Sequence, residues 1–169
     1  MINKINNLPK SEFIKVFANI FENSSWIAKD LYHKKPFEDF NDLSSKIIGI
    51  FEKSTKKEQL KILRSHPDLA DKTKIKLLTQ ESRKEQNSAG LDQCTQEEFS
   101  EFKSLNSKYK KKFGFPFIIA VKGKNKLEIL NDFKKRITYD INVEFIESKK
   151  QVKKIANLRL SEINEKDFF

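Results

Sequence analysis

One histidine in this chain sits where chemistry is conceivable. His66 stands directly before Pro67 in the run Arg64-Ser65-His66-Pro67-Asp68-Leu69-Ala70. Downstream, Ser82, Glu85 and Gln86 are spaced three and four residues apart, which puts all three on one face of a helix. A polar face of that kind, turned towards a histidine, is the start of an acid/base site. Each signal also has a purely structural reading. A His before a Pro can simply end a helix, and a polar trio at helical spacing can be a solvated face. Arg159 beside apolar residues can be a snorkelling side chain, and Phe115-Pro116-Phe117-Ile118-Ile119-Ala120-Val121 can be core.

The elements that must position these residues read as helices separated by short punctuation. Pro9 suits the first turn of a helix carrying Phe13, Phe17, Ile20 and Phe21, ended by Asn23-Ser24-Ser25. Trp26, Ile27 and Leu31 mark a shorter helix, broken at Lys35-Pro36 because the residue before proline is pushed out of the α region. Asp42 is the expected cap of a helix with Leu43, Ile47, Ile50 and Phe51 on one side, and Thr55 with Glu58 forms a capping box for the helix that runs into His66. An irregular or weakly helical stretch from Leu69 to Leu78 follows. Thr79 then caps the helix of Ser82, Glu85 and Gln86, and Gly90 ends it.

Thr95 and Glu98 form a second capping box before a stripe of Phe99, Phe102, Leu105, Tyr109 and Phe113, terminated by Gly114. Phe115 to Val121 is the one segment that does not fit an amphipathic helix. As an extended segment in an otherwise helical protein it has no ladder partner, so its backbone groups are expected to be open to a ligand. Asn125 caps a helix through Leu127, Leu130, Phe133 and Ile137, and Asn142 opens a last long helix with Ile146, Val152, Ile155 and Leu158. The expected fold is all-α: a single-domain bundle of about eight helices over residues 1–169, with one short extended segment near the site.

Composition narrows the function. At 169 residues, 37% hydrophobic and with 15 Phe, the chain can bury a Phe-rich core. Its longest apolar run falls far short of the ~20 residues of a membrane helix, so no membrane association is expected. The N-terminus lacks the pattern of a secretion or import signal and the C-terminal Lys166-Asp167-Phe168-Phe169 is no peroxisomal tripeptide, so a cytoplasmic protein is expected. One Cys and two His leave no cluster at metal-ligand spacing. The net charge of +10 raises nucleic acid as a partner, but the lysines are spread along the chain among 24 acidic residues, without a run of five basic residues. The charge is read as a solvated surface that also attracts an anionic small substrate, not as a nucleic-acid site.

Taken together, His66-Pro67-Asp68-Leu69-Ala70, Leu78-Thr79-Gln80-Glu81-Ser82 with Glu85-Gln86, Ser88-Ala89-Gly90-Leu91, and Lys112-Phe113-Gly114-Phe115-Pro116-Phe117-Ile118-Ile119 resemble the 2-oxo-4-hydroxy-4-carboxy-5-ureidoimidazoline (OHCU) decarboxylases. These are enzymes of urate breakdown that give (S)-allantoin. The likeness extends through Ser25-Trp26, Lys35-Pro36-Phe37, Asn106 with Tyr109, and Ile155-Ala156 with Arg159-Leu160.

The resemblance implies an all-helical homodimer and a decarboxylase that needs no cofactor. His66 is implied as the catalytic acid/base and Glu85 as the carboxylate that holds its tautomer and stabilises its charged form. Ser82 and Gln86 would hydrogen-bond the ureido and ring amide groups, with Arg83 and Lys84 in the same substrate-binding stretch and Pro67 lining the pocket. Backbone groups of Phe117, Ile118, Ile119, Ala120 and Val121 would grip the planar ring, and Arg159 would face the anionic end, where a guanidinium fork matches a carboxylate. A catalytically inactive small-molecule-binding or regulatory protein that kept the fold is the alternative.

Overall fold

The structure, a computed structural model, describes residues 1–163. The terminal Lys166 to Phe169, and with them the targeting reading of the C-terminus, lie outside the described residues. Among the described residues there are nine α-helices and two 3-10 turns, with no strand, so the all-α expectation holds. No helix among them is long and apolar enough to cross a membrane. The chain groups into two compact units, one formed by Met1–Ser65 with the chain from Lys153 onward, the other by His66–Val152.

In the first unit, α1 (Ile2–Asn7), α2 (Lys10–Phe17), α3 (Ser25–Tyr32), α4 (Phe40–Lys53) and α5 (Lys56–Ser65) bury a phenylalanine cluster. Phe13 packs on Phe17 with ring centroids 4.6 Å apart, and Phe21 stacks on Phe51 at 5.0 Å. The six-residue α1 was not expected from the pattern, and α2 stops at Phe17, with Ile20 and Phe21 buried in the turn that follows. The α4 cap is Asp39, whose carboxylate accepts from the Asp42 amide at 2.7 Å. Asp42, the expected cap, is in the first turn and pairs instead with Lys46. The Thr55–Glu58 capping box is present in both directions.

The second unit holds the 3-10 turn Lys72–Leu77, α6 (Gln80–Ser88), the 3-10 turn Leu91–Gln93, α7 (Gln96–Phe113), α8 (Lys126–Arg136) and the start of α9 (Ile141–Glu162). The expected caps Thr79, Thr95 and Asn125 all accept from the backbone of their helices' first turns, the last two as full capping boxes. Gly90 and Gly114 take the left-handed conformation that ends α6 and α7. Two stripe assignments are corrected. Leu127 and Ile146 are exposed, because at ~100° per residue the inward arcs of their helices are taken by Ile129, Leu130 and Phe133, and by Glu144, Ser148 and Val152. Asn142 lies within α9, which begins one residue earlier.

Candidate active site

His66 follows the last residue of α5 and opens a loop without regular structure through Asp71. The residue is half-buried and its Nε2 is fully buried. The loop is fastened by side chains. Gln86 of α6 accepts from the Ala70 amide through Oε1 at 3.1 Å and donates from Nε2 to the Asp68 carbonyl at 3.2 Å. Asn106 of α7 donates to the Leu69 carbonyl at 2.9 Å, and Lys110, one turn further on, pairs with the Asp68 carboxylate at 2.6 Å. Ala70 is thereby held at φ 53°, a left-handed conformation that costs a non-glycine residue roughly 1–2 kcal/mol.

The helix that carries the polar trio is the one that fastens this loop. Ser82 and Gln86 are buried and Glu85 is half-buried, so the three form an inward edge of α6, not a solvated face. Arg83 and Lys84 lie on the opposite, exposed side, and the Arg83 guanidinium donates to the Ile75 carbonyl of the neighbouring 3-10 turn. Pro67 is half-buried beside His66.

The segment after Gly114 is buried and irregular as expected, but its backbone is not as open as the sequence suggested. Arg136 Nη1 donates to the Ile118 carbonyl at 2.7 Å, and the Ala120 amide donates to Gln151 Oε1 at 3.0 Å. Phe117 stacks on the Phe133 ring at 4.0 Å and meets the Tyr109 ring in a T-shaped contact at 5.5 Å. Behind the segment lies a buried polar cluster. Arg136 Nε donates to both carboxylate oxygens of Glu144, at 3.0 and 3.2 Å, and the Tyr109 hydroxyl donates to the same carboxylate. Burial and the hydrogen bond to Glu144 push the phenol well above its ordinary value, so it stays a donor. Through Asn106 and Lys110 on one side and Tyr109 on the other, α7 supports both the His66 loop and the Phe115–Val121 segment.

Arg159 belongs to the first unit. There it is buried, paired with Glu22 Oε2 at 2.8 Å and donating to the Asn19 carbonyl at 2.7 Å. It is a fixed guanidinium, not the snorkelling side chain that its position beside apolar residues allowed. Asn106, Arg136, Glu144 and Gln151 carry supporting roles that spacing did not single out. Arg136 ends a Lys-Lys-Arg helix terminus and Gln151 sits in Lys-Lys-Gln-Val-Lys-Lys, contexts that read as solvated surface.

Residues 6–161 match the family model for OHCU decarboxylase. The chain belongs to the OHCU decarboxylase family. It is 41% identical over 162 residues to the uric acid degradation bifunctional protein of Bacillus sp. strain TB-90, covering 96% of this chain and 32% of that protein. It is 35% identical to the 2-oxo-4-hydroxy-4-carboxy-5-ureidoimidazoline decarboxylase of Halalkalicoccus jeotgali, over 96% of this chain and 90% of that one. The chain thus spans about a third of the bifunctional relative and nearly the whole of the Halalkalicoccus protein. Among solved structures, an (S)-allantoin synthase is similar at a TM-score of 0.76 and 28% identity, over 95% of this chain and 53% of that one. An OHCU decarboxylase in the presence of (S)-allantoin is similar at a TM-score of 0.71 and 24% identity, over 86% and 94%, a likeness of fold.

Proposed function

We propose that this chain decarboxylates 2-oxo-4-hydroxy-4-carboxy-5-ureidoimidazoline to (S)-allantoin, with His66 as the acid/base and Glu85 as the carboxylate that orients and charges it. The observation that carries the reading is the fastening of the His66 loop by Gln86 and Asn106, in a chain whose family match runs from residue 6 to 161. A histidine that must exchange protons with one face of a small ring needs a rigid backbone, because misplacement by about 1 Å can cost 100-fold in rate.

The chemistry follows from the substrate. The bond from the hydroxyl-bearing ring carbon to the carboxylate breaks, and CO2 leaves. The released electron pair moves towards the neighbouring ring carbon and its imine-like nitrogen, which takes up a proton. Collapse to allantoin then needs the hydroxyl proton removed and one proton added to the carbon that bears the ureido group. His66 serves both transfers, taking the first proton and returning one to carbon from a single side, which fixes the (S) configuration. Fixed donors spread the transient charge.

In this reading Ser82 and the remaining hydrogen-bonding capacity of Gln86 face the ureido and ring amides, Pro67 lines the pocket, and the backbone of Phe117 to Val121 grips the ring. Arg83 and Lys84 are exposed, and their place in the substrate-binding stretch rests on family membership. The role of Arg159 as partner of the substrate carboxylate, and assembly as a homodimer, rest on family membership. The test is to generate the substrate in solution from urate with urate oxidase and hydroxyisourate hydrolase, and to follow CO2 release with and without this protein. Acceleration above the spontaneous rate supports the reading; a rate equal to it defeats the reading and leaves a binding protein of the same fold.

A further inference from the structure

We infer that Arg136 and Gln151 are positioning residues that turn Ile119 into a two-point reader of a planar amide edge. The inference rests on the decarboxylase reading, whose substrate carries N–H and C=O groups side by side in its ring. Arg136 Nη1 donates to the Ile118 carbonyl at 2.7 Å, and that carbonyl shares a peptide group with the Ile119 N–H. Gln151 Oε1 accepts from the Ala120 N–H at 3.0 Å, and that N–H shares a peptide group with the Ile119 carbonyl. The two side chains therefore take the outer ends of the two peptide groups that meet at Ile119. Its own N–H and C=O carry no hydrogen bond among the described residues, although Ile119 is only 5% exposed. Buried backbone groups in that condition call for a partner.

Physical chemistry gives the arrangement a purpose. Pulling on a peptide carbonyl makes the N–H of the same group a better donor, and pulling on its N–H makes the carbonyl a better acceptor. Along an extended chain, the N–H and C=O of one residue face the same edge, and those of its neighbours face the other. With Ile118 and Ala120 held from the α8 and α9 side, Ile119 presents a strengthened donor and a strengthened acceptor together. A lactam or ureide edge complements that pair.

Both supports are themselves fixed. Glu144 holds the Arg136 guanidinium, and Gln151 Nε2 donates to Glu147 Oε1 at 2.8 Å, which commits the amide oxygen to Ala120. Arg136 also lies over the Phe117 ring, with Cζ 4.5 Å from its centroid.

Gln151 is the place to test this, since replacing Arg136 would strand the buried Glu144. Gln151→Met removes the acceptor while keeping the length of the side chain. The expected result is a KM for the ureidoimidazoline raised about five- to tenfold, with kcat within about twofold of wild type. Exchanging the pair, Glu147→Gln with Gln151→Glu, restores an acceptor for Ala120 and reverses the supporting hydrogen bond, so KM should return to within about twofold. An unchanged KM in Gln151→Met, or a KM that stays high in the exchanged pair, overturns the inference.

A second measurement uses wild type alone and so does not depend on variant folding. Hydantoin should inhibit competitively, and 1,3-dimethylhydantoin, which has lost its N–H donors, should inhibit at least about fivefold more weakly. Equal inhibition, or none by hydantoin, also overturns it. A wild type that does not accelerate formation of (S)-allantoin above the spontaneous conversion instead overturns the decarboxylase reading together with this extension, an outcome distinct from an active enzyme indifferent to Gln151.

Discussion

Replacing Gln86 by Leu should cost both stability and rate. The side chain makes two hydrogen bonds to the His66 loop, at 3.1 Å to the Ala70 amide and 3.2 Å to the Asp68 carbonyl. Ala70 is 8% exposed, so its stranded N–H carries a penalty of about 1–3 kcal/mol. Asp68 is half-buried and its carbonyl can recruit water, so its share is at the low end of that range. The leucine recovers about 1 kcal/mol through apolar burial, and the net loss is about 1–3 kcal/mol. In a chain of this length that lowers the melting temperature by about 3–10 °C.

The loop then lacks one of its fasteners at Ala70, and the left-handed conformation there tends to relax. With His66 no longer held, kcat should fall about 10- to 100-fold even at temperatures where the variant is fully folded. Gln86→Glu keeps an acceptor for Ala70 but sets a buried carboxylate oxygen against the Asp68 carbonyl, so it should not rescue the loss. Thermal melts beside initial rates at saturating substrate provide the comparison. A Gln86→Leu variant that melts lower but keeps wild-type kcat would refute the positioning argument. A variant with raised KM and intact kcat would instead assign Gln86 to substrate binding alone.

Other outcomes follow from the same structure. Thr95→Ala removes one arm of the α7 capping box and should lower stability by about 1 kcal/mol, or roughly 2–4 °C in the melt. Arg136→Met leaves Glu144 buried without its ion-pair partner and should destabilise by about 3–5 kcal/mol, while adding Glu144→Leu should recover much of that loss. Glu98 is held below its ordinary range by the hydrogen bond from Lys126 and then by the Thr95 amide. Its folded pKa is depressed, so its contribution is fully present above the ordinary value of 4.5 and lost as the pH falls below it. Lys126→Ala should therefore lower the melting temperature slightly near neutral pH and leave it unchanged well below pH 4.5, so that the acid limb of the profile flattens.

Helix caps and apolar stripes are local signals, and most were legible. Thr79, Thr95 and Asn125 cap as their spacing indicates, and Gly90 and Gly114 end their helices in the left-handed conformation. The cap falls on Asp39 and not on Asp42 because both are acids near one helix start, and only backbone geometry decides which one caps. Leu127 and Ile146 stand at the flank of their stripes, where sequence spacing does not reveal how far the inward arc of the helix extends. The inward edge formed by Ser82 and Gln86 was legible as a face, but its direction was not. The buried cluster of Tyr109, Arg136, Glu144 and Ser148 was beyond the pattern because its members come from three helices and, Tyr109 in its apolar stripe apart, each has an ordinary surface context. The partners of Ile118 and Ala120 lie in the same kind of context, so a segment whose backbone groups are expected to be open to a ligand is held from one side.

The most direct test of the central claim is the circular dichroism of the allantoin formed when the ureidoimidazoline is generated in the presence of wild type and of His66→Ala, both verified as folded. The expected result is rapid growth of the (S) signal with wild type and only slow, optically silent conversion with the variant. An (S) signal that grows equally fast with His66→Ala would contradict the assignment of His66 as the proton-transfer group.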